Sequence, residues 1–241
     1  MGIARPDPRA VRAAANNAGW CQTVCRAHGT PGLLAGGLWQ AAAPPPRFYP
    51  DVVTLVPGLD PADVAAAVPA RAGASVKDSF ADLDLGEYGF DALLEAQWVW
   101  REAGADVPVR VTVAPPPKRL RWTAVGSGEQ LAEWGAASGQ RDTFPPELLS
   151  DDGVRFLEAR ADSEVVGGIV GRAALALAAG VVGVSNVWVG AAGAWESLGS
   201  VAAEHFPGHP LAGYERGAEL AEAVAAGFMP VGPLRVWVRS G

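Results

Sequence analysis

The chain has 241 residues, nearly half of them apolar, which is enough for one large or two small domains with a hydrophobic core. Its formal net charge of −7 gives no electrostatic footprint for nucleic-acid binding, although Lys118, Arg119 and Arg121 form a local basic cluster. The longest apolar run, residues 173–184, is too short to span a bilayer, and no leading segment has the pattern of a secretory signal. We therefore expect a soluble, cytoplasmic protein with reduced cysteines and no membrane partner.

Residues 9–27 have the pattern of a helix, and Cys21, Cys25 and His28 lie on one side of it, at positions i, i+4 and i+7. Two interpretations are open. The three side chains could form a thiol or metal site, in which His28 lowers the pKa of a cysteine. Alternatively, the helix buries two small side chains and His28 caps its carbonyls. Zinc thiolate sites usually need a fourth ligand and a turn between close cysteines, so the sequence favours burial and no metal.

The rest of the N-terminal part reads as a proline-rich connection, a strand, a short helix that Asp60 caps, and two further segments with strand character. Their predicted ranges are 36–50, 51–56, 61–70, 75–85 and 89–101. A second proline-rich stretch, residues 106–117, is the best candidate for a linker. The sequence therefore predicts an N-terminal unit at residues 1–105 and a C-terminal unit at residues 118–241.

The C-terminal unit alternates strands and helices. Strands are predicted at 118–125, 154–161, 164–174 and 181–189, and helices at 129–138 and 196–206. From residue 210 the chain reads as a short strand, a helix and a final strand. Gly227 stands where a left-handed cap would end that helix, and Leu234, Val236 and Val238 alternate with polar or aromatic residues, as in a strand with two unlike faces.

This order of elements resembles the GNAT acyltransferases, over roughly residues 118–241, in a divergent member whose composition is typical of actinobacteria. The resemblance implies an α/β (α+β) fold, with a mixed twisted sheet flanked by helices. It also implies that strand 181–189 splays from its neighbour and holds an acyl donor through its backbone amides. The positions implied for this binding are Ser185, Val187, Trp188 and Val189, with Gly193 in the loop that follows.

The N-terminal part repeats the C-terminal ending in outline. In both, a strand end with polar residues precedes a Gly-Phe pair and a strand that carries tryptophan; these features are Lys77-Asp78, Gly89-Phe90 and Trp98, against Tyr214-Glu215, Gly227-Phe228 and Trp237. The parallel leaves open a tandem arrangement, in which residues 1–105 form a reduced GNAT-like half.

Two features of the family pattern are altered. The coenzyme A pyrophosphate loop of the family, Gln/Arg-x-x-Gly-x-Gly/Ala, falls on residues 190–195, where Gly190 replaces the polar residue and Trp195 replaces the last small residue. The tyrosine that protonates the leaving thiolate in many members corresponds to Ala223. Because of these departures, a catalytically inactive fold that binds a ligand or a protein is the alternative to an enzyme.

Other polar residues in this part of the chain favour an enzyme over an inactive fold. Glu215 is the candidate general base, Asn186 is a polar residue inside an apolar strand, and Tyr214 is a substitute for the missing acid. Glu95 is a further candidate acid or base, and Lys77 and Asp78 are the counterparts of Tyr214 and Glu215 in the N-terminal repeat. For each of these side chains a purely structural hydrogen bond is the alternative, and Tyr214 could equally be a packed core residue. The resemblance implies transfer of an activated acyl group to a small-molecule amine, with no metal. The donor is acyl-CoA or, as in relatives with paired domains, aminoacyl-tRNA.

Overall fold

The computed structural model describes residues 5–105, 120–161, 168–190 and 194–241. Within them, eleven strands form one mixed sheet, and the five helices pack against it. The predicted α/β architecture is confirmed. The predicted linker at 106–117 and residues 162–163, between the predicted strands 154–161 and 164–174, lie outside the described residues. The proposed division into units at 1–105 and 118–241 therefore stays a prediction.

The helices are α1 (Pro8–Ala27), α2 (Pro61–Ala67), α3 (Gly128–Ala136), α4 (Ala194–His205) and α5 (Gly217–Ala225), with short 3-10 turns at Gly86–Tyr88 and Pro146–Ser150. The strands are β1 (Leu33–Ala35), β2 (Leu38–Gln40), β3 (Val52–Thr54), β4 (Ser75–Asp78), β5 (Phe90–Arg101), β6 (Leu120–Ala124), β7 (Val154–Ala161), β8 (Ile169–Ala178), β9 (Val181–Val189), β10 (Leu211–Glu215) and β11 (Met229–Arg239).

The two longest strands, β5 and β11, lie side by side near the middle of the sheet, whose order is β1-β2-β3-β4-β11-β5-β10-β9-β8-β7-β6. On its other edge β5 pairs with β10, and β11 pairs with β4. The last strand of the N-terminal part, β5, thus pairs with two strands of the C-terminal part, and the last strand of the C-terminal part, β11, pairs with two strands of the N-terminal part. The parallel pairs β3–β4 and β9–β10 flank this centre symmetrically, which agrees with the repeat seen in the sequence.

The hydrophobic core is divided between the two faces of the C-terminal part of the sheet. On one face, α4 and α5 cover a cluster that includes Val184, Leu198, Ala223 and Phe228. On the other face, α1 and α3 contribute Trp20 and Trp134 to a second cluster, and α1 also packs over β5 and β11 in a third. The candidate site therefore has two distinct sides, one with α4 and α5 and one with α1 and α3.

Helix α1 begins where the Asp7 side chain accepts a hydrogen bond from the backbone of Arg9, with Pro8 in the first turn. Its buried Asn16 then ties the helix to the turn between β8 and β9. The Asn16 Nδ2 atom lies within hydrogen-bond distance of three backbone carbonyl oxygens, those of Ala176 (3.0 Å), Ala178 (3.2 Å) and Val181 (2.8 Å).

We expect Asn16→Ala to destabilise the fold by about 3 kcal/mol, because it removes these contacts and leaves a polar turn buried under the helix. Urea unfolding followed by circular dichroism measures the change. Arg12→Ala is the matched control, because Arg12 donates to the same turn, at Gly180 O, from an exposed position. It should cost less than half as much, and equal losses for the two variants would contradict the assigned role of Asn16.

Candidate functional site

Strands β9 and β10 pair over only two residue pairs, Val182 with Leu211 and Gly183 with Ala212. Beyond them β9 continues to Val189 and β10 to Glu215. Over this stretch β10 stays paired with β5 along its whole length, whereas β9 follows β8. The two parallel strands therefore part, as the sequence resemblance implied.

The parting coincides with a bulge in β9. Ser185 lies opposite Ala174 and Trp188 lies opposite Arg172, so that two residues of β9 face one residue of β8. One of the two, Asn186, has a φ of +52°, in the left-handed region that asparagine tolerates better than most residues. A bulge interrupts the ladder, so backbone groups of β9 become available to a ligand.

The Asn186 side chain joins the bulge to the loop that follows α3. Its Oδ1 accepts a hydrogen bond from Gln140 Nε2 at 3.1 Å, and its Nδ2 donates to Ser185 Oγ at 3.3 Å. Gln140 is buried and also donates to Ser138 Oγ at 3.3 Å. The polar residue in an apolar strand is therefore bonded, and Gln140 is a site residue that the sequence did not reveal. A lone glutamine in a loop carries no pattern by which to recognise it.

Among the cavities of the described residues, two border β9 on the side of α1 and α3. The larger, of about 510 Å³, brings together three predicted site residues, Asn186, Val187 and Trp188, with Trp134, Ala137, Ser138, Gln140 and Arg172. The smaller, of about 20 Å³, lies where α1 covers the parting and brings Ser185 near Tyr214. Glu215 lines neither of these two cavities. Val189 ends β9, and Gly193 lies outside the described residues.

Tyr214 and Glu215 project to opposite faces of the sheet. Tyr214 packs edge-on against Trp98, with ring centroids 5.6 Å apart. The buried Lys77 ammonium lies 4.3 Å from the centroid of the Tyr214 ring and donates to Asn17 Oδ1 at 3.0 Å. Tyr214 is therefore on the side of α1, where it lines the smaller cavity.

Glu215 is half-buried on the side of α5. Burial is the main cause that raises its pKa, and the nearby carboxylates of Glu219 and Glu222 raise it further, to about 7. A carboxyl group with this pKa exchanges its proton near neutral pH, which is the property that a general base needs. Among the residues predicted for the site, Glu215 is the one whose environment supports a proton-transfer role.

Trp195 does not close the parting. It is the second residue of α4, and its buried ring packs edge-on against Phe228, with centroids 5.4 Å apart. The indole therefore fills the core beneath α4, and the departure of Trp195 from the family pattern stays a prediction about the loop that precedes the helix. Ala223 is also fully buried in that core.

Two other predicted candidates are structural. Glu95 is 67% exposed and forms a surface ion pair with Arg235, at 2.6 Å, rather than lying in an apolar environment. Asp78 is buried and accepts hydrogen bonds from the backbone N–H groups of Phe80, Asp82 and Leu83, which fixes the loop after β4. Neither residue lies at the parting of β9 and β10.

The structure supports the burial interpretation of the two cysteines. Cys21 and Cys25 are buried among apolar side chains, and this burial raises their pKa values to about 12 and about 11. The His28 Nε2 atom lies 3.0 Å from Thr143 O, across the loop after α3. Within the described residues, no group of three or more His, Cys, Asp or Glu side chains could hold a metal ion. In the same part of the chain, no helix is long and apolar enough to cross a membrane.

Several solved structures are similar to this chain. A GCN5-related N-acetyltransferase from Kribbella flavida superposes with a TM-score of 0.60 at 20% identity, over 95% of this chain and 96% of that chain. A functionally unknown conserved protein from Staphylococcus epidermidis gives 0.62 at 10% identity, over 88% and 94%. A GNAT-family protein from Novosphingobium aromaticivorans gives 0.52 at 14% identity, over 92% and 99%.

No protein-family model and no curated protein matches the sequence. The structural similarity nevertheless extends over nearly the whole chain, including its N-terminal part. The chain has the GNAT fold, and the predicted resemblance is confirmed at the level of the fold.

The raised pKa of Glu215 makes a prediction for stability. Because the folded protein holds the Glu215 proton more tightly than the unfolded chain, ionisation destabilises the fold as the pH rises from the ordinary value of 4.5 through about 7. Glu215→Gln should therefore match the wild type near pH 4.5 and exceed its unfolding free energy by about 3 kcal/mol at pH 8. Urea unfolding across this range measures the difference, and parallel curves for the two proteins would contradict it.

Proposed function

We propose that the protein is an acyltransferase that joins an activated acyl group to the nitrogen of a small-molecule amine. The observation that carries this proposal is the parting of β9 and β10 at the Asn186 bulge. The parting supplies a slot at the edge of which unpaired backbone groups can meet a carbonyl oxygen. The Glu215 carboxyl at the end of β10 supports the proposal, because its pKa of about 7 suits removal of a proton from an amine.

The slot is the proposed place of a thioester donor, and residues 191–193 of the adjoining loop lie outside the described part of the chain. The backbone amides of residues 185–189 would hold the donor, with Gly193 beside its phosphates. When bound, the donor supplies a carbonyl carbon activated by its sulfur leaving group. Glu196 in the first turn of α4 opposes binding of the coenzyme A pyrophosphate at that helix end. Aminoacyl-tRNA is therefore a donor to test beside coenzyme A.

In the proposed reaction, the amine nitrogen forms a bond to the carbonyl carbon and the bond to the leaving group breaks. Glu215 takes the proton of the attacking nitrogen, directly or through water, and amides of the β9 bulge stabilise the negative charge on the carbonyl oxygen. The leaving group takes up a proton, for which Tyr214 is the candidate donor because Ala223 carries no acidic group.

Ala223 is buried and carries no acidic group, which favours a second candidate function. A GNAT fold without the usual acid could bind a small ligand or a partner protein and catalyse nothing. Isothermal titration with acetyl-CoA, deacylated tRNA and aminoacyl-tRNA separates the cases. Acyl-donor binding supports the transferase, and the donor that binds identifies its class. Failure of all three to bind would favour the inactive module.

The pH dependence of acyl transfer tests the role of Glu215. We expect kcat/KM to rise with pH and to level off above about 7, because Glu215 accepts a proton only as the carboxylate. Glu215→Gln should lose this rise and reduce kcat/KM by about 100-fold or more. Release of the thiol or of deacylated tRNA, with a panel of amines as acceptors, measures the rate.

Glu219→Gln is the matched control. The Glu219 carboxylate contributes to the raised pKa of Glu215, so its removal should keep the plateau rate and move the midpoint of the rise to lower pH. If Glu215→Gln retained both the rate and the pH dependence of the wild type, Glu215 would not be the base.

A further inference from the structure

The 510 Å³ cavity beside the β9 bulge is lined by a single charged side chain, Arg172, within the described part of the chain. The other lining groups are two indole rings, two side-chain amides, a hydroxyl and small apolar side chains. A mainly apolar cavity with a few convergent polar groups is the usual form of a small-molecule site. Its charge indicates which ligands it accepts.

Within the described residues, Arg172 uses only one of its N–H groups in a contact with another side chain. Its Nε lies 3.4 Å from Glu158 Oε1, a long and single contact, while the side chain is 18% exposed. Within the described residues, neither Nη nitrogen of Arg172 has a hydrogen-bond or ion-pair partner. An arginine side chain offers five N–H donors in a planar fork that fits a carboxylate with two parallel hydrogen bonds. The two Nη nitrogens of Arg172 could therefore bind the carboxylate of a ligand in the cavity.

Trp188 lies opposite Arg172 in the register of β8 and β9 and is 49% exposed, which is high for so large an apolar side chain. The Arg172 Cζ atom lies 5.8 Å from the centroid of its ring. An exposed indole at a cavity wall can stack on a flat or aromatic group of a ligand. The fork and the ring are therefore placed to bind two parts of one molecule.

We propose that this cavity is the acceptor site and that it selects amines which also carry a carboxylate, as aromatic amino acids do. The inference rests on the proposed acyltransferase function and names its substrate class. Arg172 would bind the carboxylate, Trp188 the flat side chain, and the bulge at Asn186 would lie beside the nitrogen. A phosphate group fits less well, because it carries up to two negative charges and the cavity offers one cation, which Glu158 already partly neutralises.

A substitution of Glu158 should affect carboxylate binding in the opposite direction to a substitution of Arg172. Its carboxylate competes with any ligand for the Arg172 guanidinium. Removing the arginine should weaken carboxylate binding, whereas removing the glutamate should leave it unchanged or strengthen it. A purely structural ion pair makes no such distinction, because either loss would disturb the same hairpin of β7 and β8.

The test is isothermal titration of phenylalanine and of phenethylamine, which differ by one carboxylate, into the full chain and its variants. We expect the wild type to prefer phenylalanine, and Arg172→Gln to raise its Kd by about tenfold or more. Phenethylamine binding should change by less than about twofold. Arg172→Lys should fall between, because an ammonium keeps the charge and loses the fork. Glu158→Gln should bind phenylalanine at least as tightly as the wild type does.

The outcomes separate this inference from the proposed function. Acyl transfer with no preference for the carboxylate, or equal losses in Arg172→Gln and Glu158→Gln, would overturn the inference and leave the transferase in place. Arginine-dependent binding of phenylalanine without acyl transfer from either donor would support the site and overturn the proposed function. Circular dichroism of each variant identifies any that fail to fold, and Arg172→Lys then provides the comparison.

Discussion

The candidate site depends on the pairing of β10 with β5. A strand that leaves its neighbour exposes backbone N–H and C=O groups, and a buried strand edge without partners is costly. Here β10 keeps a full ladder on its other side, because all of its residues, Leu211–Glu215, pair with β5. It can therefore stay in place while β9 turns away. The N-terminal part of the chain supplies β5, so the slot requires both parts of the sequence.

Helix α1 determines from which side a ligand can reach the slot. Asn16 holds the helix against the β8–β9 turn, and Gly183 lets it approach closely, because any side chain there would overlap the Asn16 amide. On this side the parting is reduced to the small cavity between α1 and Tyr214. Beyond the end of that contact, at the bulge, the larger cavity begins. An amine acceptor would therefore enter beside Asn186 rather than beneath α1.

The sequence predicted local features better than long-range ones. The bounds of β7 and β9 agree with the prediction, and Gly227 has the expected positive φ, of +90°. These features depend on alternation and on turn chemistry, which lie within a few residues of one another. The insertion of β5 between β10 and β11 was not predictable, because the pairing of distant strands leaves no mark on either one.

The site residues follow the same division. Glu215 was found because a polar residue ending an apolar strand stands out, yet its raised pKa comes from its burial and from Glu219 and Glu222 on the next helix. Gln140 and Arg172 were missed, since each is an ordinary residue until the fold brings it to the bulge. The environment of Trp195 could not be predicted from its place in the motif, because the direction of its side chain depends on the packing of α4.

The distribution of the site over two faces of the sheet constrains the proposed chemistry. Asn186 and the larger cavity lie on the side of α3, whereas Glu215 lies on the side of α5. A paired sheet would separate these groups, since its backbone groups bond to each other and leave no path for a proton. The parting removes that barrier at one place. If an amine binds at the bulge, its proton must cross between the strands, and a water molecule in the slot is the simplest carrier. The gap that is proposed to admit the acyl group would then also connect the acceptor to the proposed base.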